Sequence, residues 1–344
     1  RIVVFGAPQN NEEYCERFSQ IRNVIAERFG NTAPTVSYVA QPPCPQGLVM
    51  EVHEVVLTDA DRICYKTLDD VPYITVEREG CKRLFMSGII GNVLQATIRR
   101  QADDVFRTIS HIMIAEQMPV SSIVRQWNYI EKITDCDVTG HQHYQDFNDA
   151  RSLFYQSAQW LDGYPAATGI GTQWGGVMID IDALFCQDKT VCVKAVDNPL
   201  QVSAHAYSQN VLLGEKDEKL NKKTTPKFER AKAIWKKDHG FVYISGTAIR
   251  GEQSLEGVGI EEQTLATLEN IKYLVSAENL GESGIPVTKD ASYICFRVYV
   301  KRWEDMAKAR EVITRQYPDL PAVYTLTDVC RSELLIEIEG MGVI

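Results

Sequence analysis

The sequence predicts an α+β protein in which one unit, a mixed sheet with helices on one face, occurs twice in a pseudo-symmetric arrangement after an N-terminal extension. Three landmarks recur in the same order at offsets of 156 to 158 residues. Landmarks repeated at a nearly constant spacing indicate a duplicated structural unit. The matching pairs are Ser87-Gly88 with Ser245-Gly246, Pro165-Ala166 with Pro321-Ala322, and Ile179-Asp-Ile-Asp182 with Ile336-Glu-Ile-Glu339.

Length and composition are those of an ordinary globular chain. With 344 residues, of which 44% are hydrophobic and 24% charged, the chain is long enough for two domains of about 150 residues each. A net charge of -10 argues against non-specific binding of nucleic acid, which needs a cationic surface. No run approaches the roughly 18 apolar residues of a membrane span, and we find no segment typical of a signal peptide.

The nine cysteines include no Cys-x-x-Cys pair. Scattered cysteines of this kind are typical of buried, reduced thiols in a cytoplasmic protein. The sequence His141-Gln-His143 could bind a metal on a strand, but its polar neighbours favour a surface loop and no third ligand lies nearby in the sequence. We therefore expect neither a metal site nor an organic cofactor.

We expect four segments along the chain. Residues 1–80 form an N-terminal extension that packs on the first unit, residues 81–190 form the first unit, and residues 240–344 form the second unit. Residues 191–239 connect the two units and contain a charged run at 214–226. We interpret this run as a surface loop, with a lid over a site as the alternative.

The individual elements follow from hydrophobic periodicity and from turn residues. In the extension we predict short strands, a helix from Glu12 to Arg28 and a proline-rich loop at Gln41–Gly47. In the first unit we predict strands at Arg83–Ile90, Ser122–Ile130 and Gly176–Asp182, and helices at Ala96–Glu116 and Tyr144–Gln159. In the second unit we predict strands at Gly240–Ala248, Ser292–Val300 and Ile336–Glu339, and helices at Ile260–Asn279 and Trp303–Gln316.

The last strand alternates in character. Leu334, Ile336 and Ile338 point to one side of the strand, while Glu337 and Glu339 point to the other. One interpretation is an antiparallel sheet with its polar face in water. The other is a pair of carboxylates directed at a functional site.

Five segments in one order carry a family resemblance that covers roughly residues 80 to 344. This combination resembles the chorismatase family, whose chains hold two RidA/YjgF-like units in tandem. The segments are Tyr144-Gln-Asp-Phe147 with Arg151, Tyr164-Pro-Ala-Ala-Thr-Gly-Ile-Gly171, Asn198-Pro-Leu-Gln201, Ser245-Gly-Thr-Ala248, and Asp328-Val-Cys-Arg331 followed by Glu337.

The resemblance implies an enzyme that cleaves the enolpyruvyl ether of chorismate and releases pyruvate. One branch of the family leaves a dihydroxycyclohexadiene carboxylate and another delivers 3-hydroxybenzoate. By the same resemblance, Glu337 is the acid that protonates the enolpyruvyl methylene, and Cys330 belongs to the hydroxybenzoate-forming branch. Arg151 is implied to hold a substrate carboxylate.

The chemistry places a demand on Glu337. An acid that protonates carbon must keep its proton near neutral pH, so its pKa must rise from about 4.3 toward roughly 6 or 7 through desolvation. We expect Glu337 to be buried and Glu339 to be its solvated neighbour, whose negative charge raises the pKa of Glu337 further. Cys330 could assist the opening of an epoxide-like intermediate or could be a small apolar filler.

The substrate is a dianion, so cations and hydroxyl donors are expected around it. Arg151 can bind one carboxylate as a bidentate fork. Arg230 and Arg331 are further candidates, and Gly246 marks a place where backbone comes close to backbone or ligand. The remaining candidates are tyrosines that could donate a hydroxyl or could instead be packing aromatics: Tyr144, Tyr155 and Tyr207.

Two departures from the resembled families keep alternatives open. RidA deaminases place an arginine just after the Pro-Ala, where this chain has Ala167-Thr168 and Val323-Tyr324, so imine deaminase activity is not expected. Chorismatases carry an arginine where this chain has Leu200, and basic residues where it has the insert at 214–223. The alternatives are a RidA-like enzyme or a ligand-binding protein for another small carboxylic acid. We expect a monomer or a RidA-like trimer.

Overall fold

The computed structural model describes residues 1–94, 96–187, 191–203, 205, 223–249 and 257–344. Its α-helices within these residues are α1 (Asn11–Phe29), α2 (Ile98–Ala115), α3 (His143–Tyr155), α4 (Ile260–Leu274), α5 (Ala277–Glu282) and α6 (Met306–Gln316). Its strands are β1 (Ile2–Phe5), β2 (Val36–Val39), β3 (Pro43–Cys44), β4 (Val49–Val52), β5 (Arg62–Leu68), β6 (Val71–Arg78), β7 (Cys81–Ile90), β8 (Ile123–Glu131), β9 (Ala166–Thr172), β10 (Val177–Cys186), β11 (Cys192–Val196), β12 (Ala231–Lys236), β13 (His239–Thr247), β14 (Ser292–Val300), β15 (Ala322–Leu326) and β16 (Ile336–Val343).

The two large sheets have the same strand order. The first runs β5-β6-β7-β10-β8-β9 and the second β11-β12-β13-β16-β14-β15, with β3 added beyond β15. In each sheet one pair is parallel, β8 with β9 and β14 with β15. The helices α2 and α3 pack on one face of the first sheet, and α4 and α6 pack on one face of the second. The predicted pair of α+β units is therefore confirmed.

Local capping explains where the helices differ from the predicted bounds. Helix α2 begins at Ile98 because the Thr97 hydroxyl accepts a hydrogen bond from the Arg100 N–H. The helix predicted to continue to Asn279 ends at Leu274, and a short α5 follows because the Ser276 hydroxyl caps its N-terminus. Helix α3 ends at Tyr155, whose carbonyl accepts a hydrogen bond from the Trp160 indole.

The sheets begin earlier than the predicted unit boundaries. Strands β5 and β6, within residues 62–78, belong to the first sheet, so the boundary at residue 81 falls too late. Strands β11 and β12 belong to the second sheet, so the segment predicted as a connection contributes two of its strands. Both pairs lack landmarks in the sequence, because each lies outside the segments that recur. Residues 214–222 of the charged run lie outside the described residues.

The N-terminal extension is a partial third copy of the unit. Strand β1 is parallel to β2 and antiparallel to β4, with α1 between β1 and β2. This is the arrangement of β8, α3, β9 and β10 in the first unit. The predicted helix Glu12–Arg28 is confirmed as α1, which Asn10 caps. The extension packs on the first unit through β2 and β7, and its strand β3 also joins the second sheet.

The prediction that all cysteines are buried reduced thiols is wrong. Cys81 and Cys186 face one another across β7 and β10 in register, and the structure joins them as a disulfide. Cys136 is exposed, and the other six free cysteines are half-buried. Sequence spacing could not reveal the pairing, because the two residues are 105 positions apart and meet only through the strand register.

Charged side chains fill the space between the three sheets. Three ion pairs, each 2.6 Å long, join the extension, the first unit and the second unit in a cycle. Buried ion pairs of this kind require good geometry to offset their desolvation. The pairs are Arg1 with Asp182, Arg125 with Glu339, and Arg297 with Glu51. Among the described helices, none is long and apolar enough to cross a bilayer.

Candidate active site

An open cavity lies where the edge of the first unit meets the second unit. The first unit contributes residues of α3 and β9, and the second contributes residues of β13, β16 and the loop before β16. Its lining mixes cations, amides and apolar groups. The lining residues are Gln142, Tyr144, Gln145, Asn148, Ala167, Gly169, Gln201, Pro226, Phe228, Arg230, Gly246, Ala248, Ile249, Cys330, Arg331, Leu334 and Glu337.

Glu337 is the buried acid of this cavity. Its neighbours Ile336 and Ile338 point into the core beneath the helices, so the alternation of β16 directs Glu337 toward the first unit. The side chain is 5% exposed. Burial and, after it, the charge of Glu339 raise the pKa of Glu337 to about 8, against the opposing effect of the nearby arginines, which lower it. The carboxyl therefore keeps its proton at neutral pH.

Gly246 makes the room that Glu337 occupies. A Cβ atom at position 246 would lie 1.9 Å from Glu337 Oε1 and 3.0 Å from Thr168 Cγ2. The backbone N–H of Gly246 donates a hydrogen bond of 3.0 Å to Thr168 Oγ1. A side chain at position 246 would therefore displace the acid; the close neighbours of this glycine are the side chains of Glu337 and Thr168 rather than backbone.

The expectation that Glu339 is solvated is wrong. Glu339 is 3% exposed because the first sheet covers this face of β16. Arg125 and Arg297 bind its carboxylate at 2.6 Å and 3.0 Å, and the indole N–H of Trp127 donates to it at 2.8 Å. The alternation of the strand predicted which side the carboxylate takes, but not the sheet that covers it.

Cys330, Arg230 and Arg331 lie around Glu337 as predicted site residues. The Cys330 thiol is half-buried, and its pKa is raised to about 12 by burial and by the charge of Glu337. It is therefore a thiol rather than a thiolate at neutral pH. Arg230 is buried and donates a hydrogen bond of 2.6 Å to the carbonyl of Val202. Arg331 lies 3.4 Å from Glu333.

Helix α3 brings Tyr144 to the cavity but leaves Arg151 and Tyr155 behind its wall. Arg151 does not line the cavity; its Nη2 donates a hydrogen bond of 2.6 Å to Oδ1 of Asn148, which does. Tyr155 is buried and donates to Gln126 Oε1 at 2.8 Å. Tyr144, Asn148, Arg151 and Tyr155 lie on one stripe of the helix. Arg151 is seven residues after Tyr144, however, which places it about 10 Å further along the helix axis. Tyr207 lies outside the described residues.

Four amide side chains on the cavity were not predicted. Gln142, Gln145 and Asn148 lie on or next to the first turns of α3, and Gln201 follows Leu200, which does not line the cavity. The spacing of positions 144, 145 and 148 on a helix was the signal that could have found two of them. The described residues contain no group of three or more His, Cys, Asp or Glu side chains able to hold a metal ion.

Comparison with known proteins finds chorismatases. Residues 66–183 match the family model described as "Chorismatase FkbO/Hyg5-like, N-terminal". The 3-hydroxybenzoate synthase of Streptomyces hygroscopicus is 33% identical over 232 residues, which cover 66% of this chain and 65% of that protein. A chorismatase of Streptomyces rapamycinicus is 31% identical over 231 residues, covering 64% of each. Over these parts of its sequence the chain is similar to the chorismatases.

The fold is shared over nearly the whole chain. A crystal structure of a chorismatase superposes with a TM-score of 0.72 and covers 99% of this chain and 92% of its own, at 21% identity. The sequence alignments span a smaller part, just under two thirds of the length of the curated relatives. The predicted resemblance to chorismatases is therefore confirmed, and the fold of this chain is that of a chorismatase.

Proposed function

We propose that the protein cleaves the enolpyruvyl ether of chorismate to give pyruvate and 3-hydroxybenzoate. One observation carries this proposal: a buried carboxyl, Glu337, whose pKa is about 8, faces a cavity that also holds Arg230 and Arg331. A protonated acid beside two cations suits a dianion that must be protonated on carbon. The relatives named chorismatase and 3-hydroxybenzoate synthase support the same reaction.

In the proposed reaction Glu337 gives its proton to the methylene carbon of the enolpyruvyl group. The resulting oxocarbenium ion departs as pyruvate when the bond between the ether oxygen and the ring breaks. The neighbouring ring hydroxyl closes on the vacated carbon as an epoxide, and its proton returns to the Glu337 carboxylate. Opening of the epoxide with loss of the ring proton gives 3-hydroxybenzoate, so the sum consumes no water.

Cys330 is proposed to direct the second half of this sequence. As a protonated thiol beside Glu337 it can donate to the epoxide oxygen, and it occupies space that a water molecule would need. Without this side chain, water would open the intermediate and leave a dihydroxycyclohexadiene carboxylate. The relative named 3-hydroxybenzoate synthase favours the aromatic product.

The two carboxylates of chorismate are proposed to bind at opposite ends of the cavity. Arg230 and Arg331 can take one end, with Tyr144 as a hydroxyl donor. Arg151 is a buried cation with no carboxylate partner among the described residues, and its Nε has no hydrogen-bond partner. A buried, uncompensated charge is costly, so an anionic group of the substrate beside Asn148 would be favoured by Arg151, which binds the Asn148 amide from behind the cavity wall.

We further propose that the protein is a monomer located in the cytoplasm. The N-terminal extension supplies a third sheet within the same chain, where separate RidA-like units would need a partner. Sedimentation in solution tests the monomer. Seven of the nine cysteines are free and only Cys81 and Cys186 are paired, which favours a reducing compartment; fractionation of cells would test the location.

Product analysis tests the proposed reaction. The purified protein is incubated with chorismate, and pyruvate and aromatic acids are separated and quantified. We expect pyruvate and 3-hydroxybenzoate in equal amounts. Pyruvate with a non-aromatic diol would reject the aromatic branch, and the absence of pyruvate would reject the reaction altogether.

A further inference from the structure

A connected polar cluster joins Glu337 to Glu339 through the first unit. Thr168 Oγ1 donates a hydrogen bond to Glu339 Oε2 and accepts one from the Gly246 N–H at 3.0 Å. Arg125 Nη2 contacts both Thr168 Oγ1, at 2.8 Å, and Glu339 Oε2, at 2.6 Å. Since Gly246 lies directly against the carboxyl of Glu337, the cluster fixes the positions of Glu337 and Glu339 relative to each other.

The separation of the two glutamates is set by the strand. Two residues of β-strand advance by about 6.5 Å, and side chains two apart lie on the same face. Glu339 cannot turn away, because Arg125, Arg297 and the Trp127 indole hold both of its oxygens. Glu337 therefore has a fixed carboxylate about two strand residues away, and both side chains are buried.

We propose that Glu339 is the positioning residue that keeps Glu337 protonated, and that Arg125 opposes it, so that this pair sets the upper pH limit of the enzyme. The inference rests on the proposed acid role of Glu337. Neither Glu339 nor Arg125 is among the residues that line the cavity, so both act through Glu337 rather than on the substrate.

Among the described residues, four charged groups act on Glu337, and the Cys330 thiol lies beside it. Glu339 lies on the same strand, Arg125 reaches in from β8, and Arg230 precedes β12. Arg331 comes from the loop before β16 and completes the set of cations. The directions of their effects on the pKa of Glu337 agree with the proposal: Glu339 raises it, and the three arginines lower it.

The test is the pH profile of kcat/KM for pyruvate release in two variants that should move it in opposite directions. In Glu339→Gln the basic limb should shift to lower pH by about 1 to 2 units, as expected for a unit charge near 7 Å at an effective dielectric of about 20. Activity should recover as the pH is lowered. In Arg125→Met the limb should shift to higher pH.

Glu51→Gln is the matched control. Glu51 is another buried carboxylate bound to Arg297, but it has no hydrogen bond to Thr168 among the described residues. The basic limb of the pH profile of Glu51→Gln should stay within about half a pH unit of the wild-type limb. If Glu339→Gln instead lowers activity by the same factor at every pH, Glu339 is merely structural and the proposal is overturned. Should that variant not fold, an unmoved limb in Arg125→Met overturns it equally.

A direct titration separates this inference from the proposed reaction. Carboxyl ¹³C resonances of the wild-type protein, assigned with Glu337→Gln and Glu339→Asp, report each group without any turnover. We expect Glu337 to lose its proton near pH 8 in wild type and at a lower pH in Glu339→Gln. If wild type released no pyruvate the reaction would fail, yet this titration would still support the inference; a Glu337 that ionises below pH 5 in wild type, or whose titration does not move in Glu339→Gln, would overturn it.

Discussion

Replacing Gly246 by alanine should disable the acid without touching it directly. The new Cβ would lie 1.9 Å from Glu337 Oε1 and 3.0 Å from Thr168 Cγ2. An ordinary carbon–oxygen contact is near 3.3 Å, so the carboxyl must retreat by roughly 1.4 Å or the strands must separate. A displacement of about 1 Å at a reacting group can cost about 100-fold in rate, and overpacking costs about 1 to 3 kcal/mol of stability.

The assay is kcat for pyruvate release from chorismate, followed with a coupled lactate dehydrogenase reaction, together with the unfolding midpoint in urea. We expect kcat to fall about 100-fold in Gly246→Ala. Gly281→Ala is the matched control, because a Cβ there meets nothing within 4 Å and the residue lies in α5. A Gly246→Ala enzyme with wild-type kcat would refute the assignment of Glu337 to the reacting position.

Four further predictions follow from the site and from the contacts that support it. Removing the thiol in Cys330→Ala should keep pyruvate release within about tenfold of wild type but convert the product to the diol, measured by chromatography; unchanged 3-hydroxybenzoate would remove Cys330 from the reaction. Activity should fall as the pH rises through about 8, where Glu337 loses its proton. The raised pKa of Glu337 also makes stability depend on pH: its contribution is complete below pH 4.5 and is lost as the pH rises through 8. The free energy of unfolding should therefore decline across that window by at most about 1.4 kcal/mol per pH unit. Glu337→Gln should abolish this decline, and a decline that persists in the variant would contradict the prediction. Lys232 donates three hydrogen bonds of 2.7 to 3.0 Å to the carbonyls of residues 162, 163 and 164. Lys232→Met should therefore lower the free energy of unfolding, measured in urea, by about 3 kcal/mol. A loss below about 0.5 kcal/mol would show that these three hydrogen bonds are not needed for stability.

The sequence was sufficient for the fold wherever the pattern is local or repeated. The offsets near 157 residues found the duplicated unit, and alternation in the last strand placed Glu337 on one face and Ile336 on the other. It was insufficient for contacts that depend on packing. The burial of Glu339 depends on a sheet contributed by another part of the chain, and the pairing of Cys81 with Cys186 depends on strand register.

The site was predicted in part for the same reason. Glu337, Cys330 and Arg331 lie within one short segment and were found together. Arg151 belongs to the correct helix and the correct stripe, but the distance along the axis places it behind Asn148 rather than on the cavity. Predicting which residues of α3 reach the cavity requires the position of α3 relative to β16, and the spacing of residues within α3 does not give that position.

The measurement that tests the central claim most directly is single-turnover pyruvate release from chorismate by wild type and by Glu337→Gln. The amide keeps the shape of the side chain but has no proton to give. We expect the rate to fall by about 10² to 10⁴-fold while chorismate binding, measured by calorimetry, is retained. A Glu337→Gln enzyme that releases pyruvate within a few-fold of the wild-type rate would contradict the account, because the acid would then have to be another group.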